Sequence, residues 1–347
     1  MTDGNVHHTL PCSCGSGLSF EECCYRKKSR SAPKPNNEST ALLHCALQGT
    51  KFASLEEAQQ FMQEYMLRHN QTSRIEFAGL SPAEMHRVLD FPFCSPDIAA
   101  FAGVLPHEPD SPVTTIFKAL AEAIGDNGLK PTAAGNLPQK VVRDIAIAVT
   151  GSDTHGMGSL RWRMNREEEY YELQITQLVA ELAGLIRMFK GRFTLTKKCR
   201  TLLKSRGMAG IWPELFRAYV EKFNWEYRGG YDGLPFIQKS FLFTLYLLWQ
   251  YGGEERSGNF YTCAFLQAFP AVLDQVEPRT YCSQEEFFSS MYLNTAMTCF
   301  AGFFGLAQVI LDAPEPGSSS RSSYRITSLP LLRDAVSITT DNFRASL

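Results

Sequence analysis

Leu185-Ile186-Arg187-Met188-Phe189-Lys190-Gly191-Arg192-Phe193-Thr194-Leu195-Thr196 is the stretch on which the fold class turns. Two short apolar arms flank Lys190-Gly191, the pattern of a β-hairpin closed by a tight turn. Upstream, from Glu168 to Leu185, the apolar positions Tyr171, Ile175, Leu178, Val179, Leu182 and Leu185 recur at helical spacing. Downstream, Thr196 stands as a hydroxyl cap and predicts a helix from Lys197 to Ser205. Helix, hairpin and capped helix form the skeleton of a winged-helix-like unit over 168–205.

Related signals recur in both directions. Toward the C-terminus, Ser283-Gln284-Glu285-Glu286 is a capping box, a hydroxyl followed three residues on by a carboxylate, and it opens an apolar helix read as running to about Ile310. After a Pro/Gly/Ser-rich loop, 313–323, Tyr324–Thr327 reads as a strand and Leu329–Val336 as a short helix. Thr132, Thr196 and Thr327 each follow a strand-like stretch and precede a helix, which suggests a loose structural repeat. Aromatic-rich helices are predicted at 211–223 and 237–251, with a shorter one at 261–276. Toward the N-terminus, Ser54-Leu55-Glu56-Glu57 opens a helix to about His69, and Ser81-Pro82-Ala83-Glu84 opens one through Leu89. Ile75 and Phe77 read as a short strand before it. Helices at 114–124 and 139–149, the second capped by Asn136, complete this half. The glycine-rich loop 150–159 is the best boundary within the body. The expected fold is mainly α with short β-hairpins in winged-helix-like units, divided into helical domains at 41–150 and 160–347.

The composition is that of a folded, water-soluble chain. Its 347 residues allow two or three globular units, with 44% hydrophobic and 20% charged residues. A net charge of −2 argues against a general nucleic-acid coat while leaving room for a local basic face. The 24 Phe and 13 Tyr point to helix–helix contacts filled by large side chains. The N-terminus has no basic-then-apolar leader, so a cytoplasmic protein is expected. Phe287–Leu311 is uncharged and long enough to span a bilayer, but Ser289, Ser290, Asn294, Thr295, Thr298 and Gln308 interrupt it, and a buried core helix is the reading adopted.

Pro11 to Tyr25 reads PCSCGSGLSFEECCY and gathers Cys12, Cys14, Cys23 and Cys24 with the spacing C-x-C-x8-C-C. Four thiolates so close suit a tetrahedral soft-ligand site, for which Zn2+ is the default metal. Two disulfides, or four unrelated thiols, are the alternatives; disulfide frameworks belong to short secreted chains. The segment 26–40 carries five positive charges and two prolines and no large apolar residue, a flexible basic Pro/Ser linker or a basic arm for RNA or acidic partners. Cys45, Cys94, Cys199, Cys263, Cys282 and Cys299 are scattered and read as thiols in a reducing compartment.

The pattern of Pro11, Cys12, Cys14, Gly15, Ser16, Gly17, Phe20, Cys23 and Cys24 resembles the SEC-C motif, found at the C-terminus of the translocase motor SecA and in other bacterial proteins. The resemblance covers residues 11–25. It implies a small zinc knuckle held by the four cysteines, and a module that contacts a protein partner or the ribosome. Leu18, Ser19, Glu21 and Glu22 stand where the family often carries lysine, and the motif is N-terminal here. A weaker resemblance of the body, through Gly79–Leu89 and Gly128–Pro138, is to uncharacterised bacterial proteins, some carrying a SEC-C motif. It brings no activity with it.

Catalytic signatures are lacking. There is no Walker loop, nucleophile elbow, H-E-x-x-H or dinucleotide fingerprint. Asp153 and His155 read as a hydrophilic turn rather than a metal site, Glu167, Glu168 and Glu169 as helix N-terminal charge, and His86 as a satisfied helix histidine rather than a catalytic base. His7 and His8 lie near the knuckle, but four cysteines already close a tetrahedron, and a closed site is structural. A non-catalytic interaction or adaptor protein is therefore expected. Nucleic-acid binding is the alternative. It rests on Arg187, Lys190, Arg192, Lys197, Lys198, Arg200 and Lys204, seven cations within eighteen residues on the hairpin and the helix after it.

Overall fold

The computed structural model describes residues 52–150, 171–229, 234–312 and 323–339. The cysteine segment 11–25, the linker 26–40, residues 151–159 with Asp153 and His155, the acidic run Glu167, Glu168 and Glu169, and residues 313–322 lie outside the described residues. Two compact units divide the chain, Met1–Met66 and Leu67–Leu347. Helix α1 (Leu55–Gln71) begins in the first; Ser54 Oγ accepts the Glu57 amide at 3.2 Å, and no residue of α1 is buried.

The second unit is mainly helical, with a few short antiparallel strand pairs. In chain order it holds α2 (Pro82–Asp90), β1 (Ala99–Phe101), α3 (Pro112–Ile124), α4 (Gln139–Thr150), α5 (Tyr171–Leu182), β2 (Ile186–Phe189), β3 (Arg192–Leu195), α6 (Lys197–Arg206), α7 (Met208–Glu221) and α8 (Trp225–Gly229). There follow α9 (Pro235–Lys239), α10 (Phe241–Tyr251), β4 (Arg256–Ser257), α11 (Gly258–Ala268), α12 (Gln284–Tyr292), a π-helix (Leu293–Gly302), β5 (Ala307–Asp312), β6 (Ser323–Ser328), α13 (Pro330–Ala335) and β7 (Val336–Ile338). Both α2 and α12 start at reciprocal capping boxes, Ser81 with Glu84 and Ser283 with Glu286. Helices on either side of 150–159 belong to one unit, and α3 packs on α5.

Aromatic side chains fill the centre. The Phe216 ring lies 4.9 Å from Trp212, 5.9 Å from Phe300 and 5.7 Å from Phe304. Such pairs add to area burial, which is worth about 1.5–3 kcal/mol for a fully buried large apolar side chain. The indole N–H groups are satisfied there: Trp212 donates to Phe304 O and Trp225 to Tyr219 O. Pro213 sits inside α7 and cannot donate to Ala209 O; the Leu105 amide takes that carbonyl at 3.0 Å instead.

The region read as one apolar helix to Ile310 is three elements. After α12 the backbone widens to the π-helix, turns at Gly305 with φ +70°, and enters β5, where Val309 and Ile310 pair with β6. Placing β-branched residues in a paired strand suits them better than a helix does. Among the described residues no helix is long and apolar enough to cross a membrane. Ile75–Phe77 is a 3-10 turn rather than a strand, closed by Ala78 in the left-handed region. The predicted helix 237–251 breaks at Ser240, and 261–276 breaks before Pro270, whose ring ends α11 in favour of a 3-10 turn.

Two stretches of this unit share one connectivity: helix, short strand contact, helix, helix, hairpin, helix. The first is α3, Leu129, α4, α5, β2, β3, α6; the second is α10, β4, α11, α12 with the π-helix, β5, β6, α13. Their hydrogen bonds correspond. Leu185 N donates to Ala180 O and Leu306 N to Ala301 O, both at 2.8 Å, around Gly184 and Gly305 with φ +69° and +70°. Such left-handed glycines end helices at low steric cost. Thr196 N donates to Leu185 O and Leu329 N to Leu306 O, both at 2.9 Å. Leu129 lies opposite Phe193 as Arg256 lies opposite Ile326. The repeat is thus real, but its frame differs from the three threonines: Thr196 matches Leu329, Thr194 matches Thr327, and Thr132 closes a local turn with Asn136.

Candidate functional site

The hairpin turn is fixed by backbone conformation. Lys190 and Gly191 both hold positive φ, 49° and 72°, as a two-residue primed turn requires. The register Ile186↔Leu195, Arg187↔Thr194, Met188↔Phe193, Phe189↔Arg192 then sorts the side chains. Ile186, Phe193 and Leu195 face the core and are buried. Arg187, Phe189, Arg192 and Thr194 share the opposite face, because directly opposed residues project to the same side. Phe189 is 47% exposed and Met188, at the tip of the inner face, 49%. The Arg187 guanidinium carbon lies 4.9 Å and Lys190 Nζ 5.5 Å from the Phe189 ring centroid.

The seven predicted cations are all exposed but do not act alike. Arg187 and Lys190 have no carboxylate partner among the described residues. Arg192 turns its guanidinium onto Gly128 O, at 3.3 Å from Nε and 3.2 Å from Nη2. Lys198 is structural: its Nζ donates to Ala183 O, at the end of α5, and to Glu214 at 2.6 Å. Arg200 lies 4.0 Å from Asp126. Lys197 and Lys204 line the exposed side of α6, whose cap forms as expected, Thr196 Oγ1 accepting the Cys199 amide at 3.2 Å. Inward, Cys199 is fully buried, and burial pushes its thiol up to about 11.

The alternation Ile186-in, Arg187-out, Met188-in, Phe189-out was available in the sequence as a period-two pattern, and it places Phe189 among the cations. Of the other candidates, His86 Nδ1 sits 2.9 Å from Asp90, which also takes Lys239 at 2.8 Å, a helix-surface network. Cys12, Cys14, Cys23 and Cys24 lie outside the described residues. Among the described residues no three His, Cys, Asp or Glu side chains are grouped to hold a metal ion. The concavity lined by Trp225, Glu226, Ile237, Gln238, Met291 and Thr295 has room for about one water, some 20 Å³.

No family model matches the chain, and neither the curated proteins nor the solved structures offer a match.

Proposed function

We propose that this is a non-catalytic, cytoplasmic interaction protein in which Cys12, Cys14, Cys23 and Cys24 hold one Zn2+ and stiffen a small surface that engages a protein partner or the ribosome. The observation that carries the reading is the C-x-C-x8-C-C spacing with Gly15 and Gly17 between the pairs. It supplies four soft donors and a backbone free to fold around them. Four thiolates leave no open coordination position, so the metal would build structure rather than activate water. The fifteen residues 26–40 would tether that surface to the helical body and raise its local concentration near anything the body binds. Zinc content measured on the purified protein and on the four-serine variant tests the ligand set: about one equivalent lost in the variant is expected, and zinc retained would refute it. A pull-down comparing the full chain with one lacking residues 1–30 tests the role. Equal recovery of the same partners would move recognition to the body.

A second reading, nucleic-acid binding by a winged-helix-like unit, is favoured by one observation. The outer hairpin face carries Arg187, Phe189 and Lys190, exposed and with no carboxylate partner among the described residues. The order α3, Leu129, α4, α5, β2, β3, with Leu129 bridging to β3, supports the winged-helix-like reading of this part. Binding that weakens with salt and disappears on reversing Lys190, Arg192 and Lys197 is the expected result.

A further inference from the structure

We infer that the outer face of the β2–β3 hairpin binds unpaired nucleic-acid bases, with Phe189 as the stacking platform and Arg187 and Lys190 on the adjacent phosphates. The inference rests on the nucleic-acid reading and narrows it from nucleic acid in general to single strands.

Three observations carry it. The first is what the helix before the hairpin cannot do. Leu173, Ile175, Thr176, Gln177, Val179 and Ala180 of α5 are buried, and only Glu181 and Leu182 at its end are exposed. Over its described residues this helix is enclosed on most of its surface and exposes an acid at its C-terminal end, so Tyr171–Leu182 offers little face to lay in a major groove. The hairpin, rather than this stretch of helix, is the open surface.

The second is the chemistry that remains exposed. A half-exposed aromatic ring with two cations over it, on a two-stranded ribbon, matches what single-strand binders use: aromatic and guanidinium planes on which any base can stack and positive charge that follows the backbone. Primed-turn geometry at Lys190 and Gly191 holds the ring at the tip, where a base can reach it.

The third is an internal control. The second copy of the unit carries a longer strand pair, β5–β6, whose first four pairs, Ala307↔Ser328 to Ile310↔Arg325, match the β2–β3 register, yet its face is different. Gln308 stands where the first copy has Arg187, and Ile310 where it has Phe189. Arg325, the counterpart of Arg192, is neutralised by Asp312 at 2.8 Å and Glu255 at 3.1 Å. The fold therefore tolerates a neutral strand pair here, and the exposed cations and ring of the first copy are not a folding requirement. Phosphate is the complementary charge they fit.

Fluorescence anisotropy on the full chain at low salt tests this. The probes are a labelled mixed-sequence DNA strand, its RNA equivalent, and the duplex of each. The expected result is tighter binding of the single strands, weakened roughly 5- to 150-fold by Phe189→Ala, the range that base stacking spans. Arg187→Glu with Lys190→Glu should weaken binding and flatten its salt dependence. Gln308→Glu, on the second hairpin, should change nothing. All four positions are exposed, so the substitutions leave the core untouched, and a thermal melt on each variant checks the fold. Duplex bound as tightly as single strand, with Phe189→Ala neutral, overturns the inference while sparing the broader reading. No binding to any probe overturns both. Competition by polyglutamate equal to that by oligonucleotide also overturns it, because the face would then be a site for acidic protein.

Discussion

Single atoms in the core explain which residues the fold depends on. At the end of the π-helix, the Phe303 amide goes to Thr298 O and the Phe304 amide to Phe300 O, so Cys299 O loses its backbone donors. Tyr219 Oη donates to it at 2.9 Å, and Arg228 Nη1 donates as well. The Arg228 guanidinium also sits 4.0 Å from the Phe303 ring centroid. With two donors on one carbonyl, Tyr219→Phe and Arg228→Met should each cost about 1 kcal/mol, whereas the pair should cost more than their sum, because a buried acceptor is left unpaired. Urea denaturation of the three variants measures this, and strict additivity would count against the account. Cysteine reactivity gives a second residue-scale test. Cys94 and Cys263 are exposed, whereas Cys199 is buried with its thiol held near 11. A thiol-specific reagent at neutral pH should label the first two quickly and Cys199 only on unfolding. Comparable rates at all three would show that α6 opens readily. None of this wiring could be read from the chain: nothing local marks Arg228 as the donor that a carbonyl 71 positions away requires.

Elements were more legible where the signal is local. Ser81 and Ser283 announce their helices because a hydroxyl and a carboxylate three residues apart satisfy orphan amides without help from elsewhere. Lys190-Gly191 announces its turn for a similarly local reason. Tertiary partners decided the elements that local signals did not. Ala307–Asp312 is apolar enough for a helix, but β6 offers it six register partners and Gly305 breaks the helix before it. Ala99–Phe101 is a strand only because Val336–Ile338 lies alongside. The candidate site divides in the same manner. The cations were visible as a cluster, yet their sorting into Lys198, which caps α5, and Arg187 and Lys190, which have no carboxylate partner among the described residues, needed the packing of α5 and α7. Thr196 joins the two kinds of signal: its Oγ1 accepts the Cys199 amide and donates to Gly184 O at 2.7 Å. Thr196→Ala should cost about 1–2 kcal/mol by chemical denaturation, more than an isolated cap, and Thr196→Ser should recover most of it. A serine variant no better than alanine would assign the loss to the methyl group instead.

At the scale of the molecule, the chain divides into a unit ending at Met66 and a body of Leu67–Leu347 with its own aromatic core. Metal binding and folding are coupled for a small four-thiolate site. Chelation should therefore change the cysteine segment and leave the far-ultraviolet circular dichroism and melting temperature of the body nearly unaltered. A drop of more than a few degrees in the body's melting point would tie the two together. One further property follows from the pairing of β1 with β7, which joins Ala100 to Ser337, 237 positions later. A ribosome adds about 5–20 residues per second, so β1 waits on the order of ten seconds or longer for its partner to be made. The first copy of the repeated unit emerges complete during that interval and can fold on its own schedule. The start of the body cannot. Ile98 and Phe101 stay without their final cover until the last strand arrives, so a nascent chain stalled late in synthesis leaves the segment around β1 as the apolar stretch a chaperone would find.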